Sequence, residues 1–298
     1  QPPTASQRPY WPPGTRNGYH AVTFGWLVGE LVRRVTGESV GKFFRKNVAE
    51  KLGLDFAIGL PREEHHRVAL LIPPPPETPS QTPSNAQKDS MQQLPPEKHE
   101  LVEAMQTVFS NPPIGKIDGV LPFNAEKWRC AEIPAANGHT NARALARMYC
   151  CLAMGGELDG VRLLSAGALT AATRANCSRK DLILGYRVRW GMGFLLNEPS
   201  SGICGPNLGA YGHTGKGGAV GFADPLHGLG FGYAMNKMRE ELNGDFRNLR
   251  LIEALYGCLG QPVRYLRDKD GRPKLSSSLM SDANGNLTTG GKPLQARL

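Results

Sequence analysis

Tyr19 follows a turn-forming run, Pro12-Pro13-Gly14-Thr15-Arg16-Asn17-Gly18, and stands just before a stretch with helical apolar spacing. A hydroxyl delivered there points out of a helix start, where it could move a proton, although the position suits a packing tyrosine as well. His213 and Thr214 lie in Gly212-His213-Thr214-Gly215, a predicted strand whose glycines let a ligand approach the backbone. An imidazole on such a strand serves either a substrate or the strand's own hydrogen bonding. Asn137-Gly138-His139-Thr140 forms a third polar turn, and capping the helix that follows is sufficient reason for its composition.

Other chemistries fail on spacing. The chain holds no Gly-x-Ser-x-Gly, so a nucleophile elbow is excluded. One Ser-x-x-Lys occurs, Ser39-Val40-Gly41-Lys42, and on a helix it would set the lysine one turn from the serine. Here Ser39 reads as the cap of its helix, with Lys42 on the polar side opposite Phe43 and Phe44. His65-His66 follows Glu63-Glu64 without the spacing of a metal-binding helix, and no metal site is predicted. Gly215-Lys216 looks like the end of a phosphate loop, but the position five before Gly215 is Ala210 and Lys216 is followed by Gly217. No nucleotide and no other cofactor is expected.

Residues 22–35 carry apolar side chains at helical spacing, with Gly37 placed to end the helix. Ser39 starts a second helix with Val40, Phe43, Phe44 and Val48 on its buried face. Residues 72–96 are rich in Pro, Ser, Thr and Gln and read as a long loop or insertion, and a helix is expected from Glu97 to Phe109. Further helices are predicted from Ala142 through Leu152, from Ser165 to Arg174, and over residues 245–259. Residues 186–196 alternate as one strand, and residues 219–223 and 229–235 form a hairpin around Asp224-Pro225-Leu226-His227-Gly228. Helices and strands in separate blocks argue an α+β class, here an antiparallel sheet flanked by helices plus a mostly helical region. The expected boundaries are one domain over residues 1–260 and a polar, poorly ordered tail over 261–298.

The 298 residues carry a formal charge of +9, which would suit an acidic partner, but clusters such as Arg33-Arg34 and Lys42-Arg45-Lys46 fit solvated helix faces. Without an aromatic-basic module, nucleic acid is not an expected partner. No apolar run is long enough to span a membrane. The six cysteines show no paired or zinc spacing and read as reduced core thiols, so the expected compartment is intracellular, in the cytoplasm.

Four ordered segments together resemble one family: residues 19–26 (YHAVTFGW), 137–143 (NGHTNAR), 190–194 (WGMGF) and 212–218 (GHTGKGG). They resemble the serine beta-lactamase-related hydrolases, closest to the class C-like, family VIII esterase branch and to the animal beta-lactamase domain-containing proteins. The resemblance spans residues 11–259. It implies a beta-lactamase and penicillin-binding-protein-like fold and hydrolysis of a small ester or amide through an acyl-enzyme. It assigns Tyr19 to proton transfer and His213, Thr214 and Gly215 to the substrate-lining strand, with the backbone N–H of Lys216 as an oxyanion donor. Ala21 departs from the family's Tyr-x-Asn pattern.

The family's nucleophilic Ser-x-x-Lys lies upstream of its Tyr, and none of the 18 residues before Tyr19 forms it, while Ser39 comes after. The expectation is therefore a chain lacking the family's N-terminal part and its nucleophile, inactive as it stands. The alternative is a non-catalytic relative that uses the cleft for binding or assembly. A missing core helix would leave the helices at Val22 and Leu145 with apolar faces bare to water. The sequence leaves the substrate and the oligomeric state open.

Overall fold

Glycine and serine punctuation sets the first elements of the computed structural model, which describes residues 8–74, 104, 108, 117, 120–198, 202–239, 245–263, 265–274, 279–281, 287–289 and 292–293. Helix α1 (Thr23–Thr36) ends at Gly37, whose φ of 76° lets its N–H turn back to the Arg33 carbonyl. Ser39 caps α2 (Val40–Phe44) by accepting from the Lys42 N–H, and the helix runs through a π turn, Arg45–Ala49, into α3 (Glu50–Leu52). Strand β1 (Phe56–Ile58) pairs antiparallel with β2 (Gly138–Thr140), which follows the short helix α4 (Glu126–Cys130).

Asn141 caps α5 (Ala142–Ala153) through the Ala144 N–H, and Ser165 caps α6 (Ala166–Thr173) through the Ala168 N–H, with the hairpin β3 (Glu157–Leu158) and β4 (Val161–Arg162) between them. The main sheet then forms as a continuous antiparallel meander. Its strands are β5 (Cys177–Lys180), β6 (Arg187–Trp190), β7 (Leu195–Leu196), β8 (Tyr211–Thr214), β9 (Val220–Asp224) and β10 (Leu229–Tyr233), and spatial order follows chain order. Helix α7 (Phe246–Cys258), capped by Asp245, follows the sheet and packs on it.

Strand periodicity divides β9 between two cores. Val220 and Phe222 meet Leu249, Ile252 and Tyr256 of α7, while Ala223 joins Tyr211 and Leu196 against Tyr149 and Leu152 of α5. Helix α5 comes so close to β10 that a Cβ on Gly230 would lie 2.1 Å from the Cys150 backbone nitrogen. Only glycine fits there.

The structure departs from the sequence expectations at several places. Residues 186–196 are two strands: the Gly191 N–H bonds the Phe194 carbonyl at 2.9 Å, Gly193 has φ +79°, and Met192, which one continuous alternating strand would set on the same face as buried Val188, is 59% exposed. Two glycines bracketing a flexible side chain make this turn less costly than continuing the alternation. The packed body also runs past residue 260, because Tyr265 is buried in the α7 core with its hydroxyl donating to the Gly202 carbonyl at 2.8 Å. Short strand pairs follow, β11 (Leu266–Arg267) with β12 (Pro273–Lys274), then β13 (Leu279–Ser281), β14 (Leu287–Thr289) and β15 (Lys292–Pro293). The α5 face expected to be bare is buried, whereas that of α1 is bare: Leu31 is 62% and Val35 77% exposed. Residues 75–96 of the Pro-rich stretch lie outside the described residues, as does the Glu97–Phe109 helix apart from Ala104 and Val108, both helical.

Candidate active site

Three rings from distant parts of the chain meet beside the main sheet. Tyr19 enters from the turn before α1, Trp190 from the end of β6 and His213 from β8. Ring centroids are 6.0 Å apart for Tyr19 and Trp190, 5.7 Å for Trp190 and His213, and 6.1 Å for Tyr19 and His213, with interplanar angles of 10°, 26° and 29°. Stacked contacts at these separations hold rings in defined orientations. Tyr19 and His213 were singled out from the sequence and are brought together; Trp190 entered only as the first residue of the family-resembling segment 190–194.

The ionisation of the two polar rings follows from their surroundings. Nδ1 of His213 lies 2.6 Å from the Thr214 carbonyl oxygen, which can only accept, so Nδ1 carries the proton and Nε2 of the neutral ring is an acceptor. Burial depresses the His213 pKa, and the Thr214 contact opposes this only in part, so the neutral form is favoured. Burial, and then the charge of Asp181, push the Tyr19 phenol above its usual pKa, which keeps its proton in place. The pair is thus a phenol donor and an imidazole acceptor sharing one aromatic wall.

Beyond Thr214 the chain makes a tight turn. The Gly215 N–H donates to the Ala219 carbonyl at 2.7 Å and the Gly218 N–H to the Gly215 carbonyl at 3.1 Å, which leaves Lys216 at the exposed apex. The start of α7 fixes this turn from behind. Arg247 Nη2 donates to the Gly217 carbonyl at 3.0 Å, Asn248 Nδ2 to the Gly218 carbonyl at 2.7 Å, and Arg247 is itself paired with buried Asp245. Gly218 has φ +117°, and a Cβ there would lie 2.0 Å from Asp245 Oδ2, so the turn needs glycine for both conformation and space.

The other polar candidates are placed elsewhere. Ser39 Oγ donates to Glu132 Oε1 at 2.7 Å while capping α2, and Lys42 is exposed. His139 on β2 lines a cavity of about 980 Å³ together with Phe56, Trp128, Leu145, Tyr233 and Asn236; Tyr19, Trp190 and His213 do not line it. His65 Nε2 lies 3.1 Å from the Leu60 carbonyl and 3.7 Å from Cys130 Sγ. No group of three or more His, Cys, Asp or Glu able to hold a metal occurs among the described residues. All six cysteines are free thiols, and among the described residues no helix is long and apolar enough to cross a membrane.

An antiparallel sheet with helices on both faces, a tyrosine–histidine pair at its side and a glycine turn beyond the histidine strand define the beta-lactamase and penicillin-binding-protein class of fold. The solved structures of a family VIII carboxylesterase (42% identity, TM-score 0.71) and of a penicillin-binding protein homologue from Caulobacter crescentus (41%, TM-score 0.67) each cover 85% of this chain. The chain covers 62% of each of those proteins. The esterase/beta-lactamase LipL of Mycobacterium tuberculosis is 34% identical over 230 residues, 76% of this chain and 50% of that protein. The profile of the Beta-lactamase family matches residues 4–255, and the chain belongs to that family. It spans about half the length of the curated relative it matches.

Proposed function

We propose that this chain supplies the tyrosine–histidine part of a beta-lactamase-like serine hydrolase site acting on small esters or amides. The carrying observation is the stack of Tyr19 and His213 on Trp190 beside the Gly215–Ala219 turn. In this reading Tyr19 handles the proton, His213, Thr214 and Gly215 line the substrate, and the Lys216 backbone N–H stabilises the oxyanion, a contribution of about 3 kcal/mol to transition-state binding. A serine from a Ser-x-x-Lys segment outside these 298 residues completes the site and forms the acyl-enzyme. Ser39 does not fill that role, because its hydroxyl is committed to Glu132 and to the α2 cap.

A fluorophosphonate probe tests this directly. The 298-residue chain should carry no serine label and turn over no aryl ester, whereas a version extended to include a Ser-x-x-Lys ahead of Tyr19 should do both. Serine labelling of the 298-residue chain would remove the claim that the nucleophile lies outside it. An extended chain that bears the motif, folds and stays inert would instead favour a binding or assembly role. That second reading has its own support in the Tyr19 phenol, whose raised pKa disfavours the phenolate a general base would need.

A further inference from the structure

The Tyr19 segment is tied to the sheet through one buried carboxylate. Asp181, directly after β5, is 0% exposed. Its Oδ1 accepts the backbone N–H of Tyr19 at 3.2 Å and those of Ile183 and Leu184 at 2.9 Å each, and its Oδ2 accepts Asn17 Nδ2 at 2.7 Å. The backbone repeats the connection, with the Leu182 N–H donating to the Asn17 carbonyl at 2.9 Å and residues 17 and 181 forming a parallel bridge. All four side-chain contacts are donors to Asp181, the set that an ionised carboxylate satisfies and a protonated acid does not. Two loops 162 residues apart in sequence therefore share one acceptor.

We propose that Asp181 is the positioning residue for Tyr19, holding the phenol on the Trp190–His213 stack. The proposal rests on reading Tyr19 as a site residue. A buried carboxylate costs folding free energy unless its lone pairs are filled. Two of the four donors, the Tyr19 N–H and Asn17 Nδ2, belong to the loop that carries Tyr19, so removing the charge must change both where the phenol lies and how readily it ionises. Burial, the largest influence, raises the Asp181 pKa above its ordinary value, and the backbone donors of Leu184, Tyr19 and Ile183, with His20 beside them, offset this only in part. His20 is itself anchored, with Nδ1 2.9 Å from the Gly18 carbonyl.

The test uses the chain as it exists and reads tyrosine and histidine resonances by NMR, with Tyr19→Phe assigning the phenol signal. Asp181→Asn keeps an acceptor for the three backbone N–H groups but removes the charge and sets an amide against Asn17. The expected result is a downward shift of the Tyr19 titration midpoint and a changed ring-current shift at the His213 Cε1 proton. Should Asp181→Asn fail to fold, Asn17→Ala removes the Oδ2 anchor and leaves the charge. It should move the His213 proton toward its position in Tyr19→Phe without lowering the Tyr19 midpoint.

A loss of thermal stability with an unmoved Tyr19 midpoint and an unmoved His213 shift would make Asp181 a fold residue only and overturn the proposal. The reading of the site fails separately: a nucleophile-bearing version that keeps full turnover as Tyr19→Phe removes the catalytic role of Tyr19 whatever Asp181 does.

Discussion

Helices α1 and α5 carry the same kind of amphipathic pattern and meet opposite fates. In α5, Ala144, Tyr149, Cys151 and Leu152 are all under 8% exposed, against β9 and β10 on one side and the α3 region on the other. In α1, Phe24, Leu27, Leu31 and Val35 run at helical spacing and are 48%, 49%, 62% and 77% exposed. An apolar stripe states that a helix wants a partner and does not say whether one is present. What differs is the opposing surface. Strands β9 and β10 present Gly221, Gly230 and Gly232, whose missing Cβ atoms let α5 settle directly onto the sheet backbone. Among the described residues, α1 finds its contacts on the inner side, at buried Gly25 against Ala135, at Gly29 beside Pro134 and Val40 and, just ahead of the helix, at buried Val22.

Substitutions on the two helices separate these fates. Gly230→Ala drives a methyl group into the α5 backbone and should cost about 3 kcal/mol in a urea titration, by overpacking that cannot relax. Leu152→Ala should cost roughly 3 kcal/mol through the cavity it leaves, while the matching Leu31→Ala on α1 should stay within about 0.5 kcal/mol. Equal losses at Leu31 and Leu152 would mean that the α1 stripe is covered in solution.

The α7 side of the sheet gives a pH-dependent counterpart. Burial alone would raise the Asp224 pKa, but hydrogen bonds from Tyr256 at 2.6 Å, His227 at 2.9 Å and Asn207 at 2.6 Å outweigh it and hold the carboxyl below its ordinary value of 3.8. A depressed folded pKa contributes stability above the unfolded value, and that stability is lost as pH falls through the folded one. Asp224→Asn should therefore cost roughly 2 kcal/mol at neutral pH, by turning donors against a donor. It should also flatten the acid limb of a stability–pH curve; an unchanged limb would assign acid sensitivity elsewhere.

Two smaller effects complete the series. Asn141→Ala removes the α5 cap, an Ala144 N–H held at 2.9 Å, and should cost about 1 kcal/mol. Helix α1 has no side-chain cap at Val22 to lose. Leu31→Lys should leave the unfolding midpoint within about 0.5 kcal/mol of the parent and reduce binding of a hydrophobic dye, since it breaks the stripe at an exposed point. Unaltered dye binding would place the bare apolar surface somewhere other than α1.

Most of the individual elements were legible because each rests on local rules. The α1 stop at Gly37, the caps at Ser39 and Ser165, and the hairpin around Pro225 and Gly228 are written in short stretches of chain. The α5 cap is Asn141 rather than the 137–140 turn expected to supply it, because Gly138–Thr140 pairs with β1 and the Asn137 side chain is taken up by Trp128, Ala131 and Ile133. The extended reading of residues 186–196 failed because alternation is also produced by two short strands joined through Gly191 and Gly193, and a period-2 pattern does not register a reversal of direction. Tyr265 was hidden in a polar composition, since one aromatic anchor is enough to dock a segment that otherwise looks like a tail. Of the site, Tyr19 and His213 could be named from their turn and strand contexts. Trp190 and Asp181 could not be assigned to it, although an acid directly before Leu182-Ile183-Leu184 was a signal, because a buried carboxylate demands partners.

The sequence by itself determined what each segment would become and which residue types could act, because hydrophobic period, caps and turn glycines operate within a few residues. Only the tertiary structure decided which stripes found a surface and which rings met. Tyr19 and His213 come together through contacts spanning more than 160 residues, and the buried Asp181 that joins the Tyr19 loop to the sheet is set by packing rather than by spacing. Long-range contacts carry no local periodicity, so the sequence named Tyr19 and His213 as candidates without showing what holds them in place.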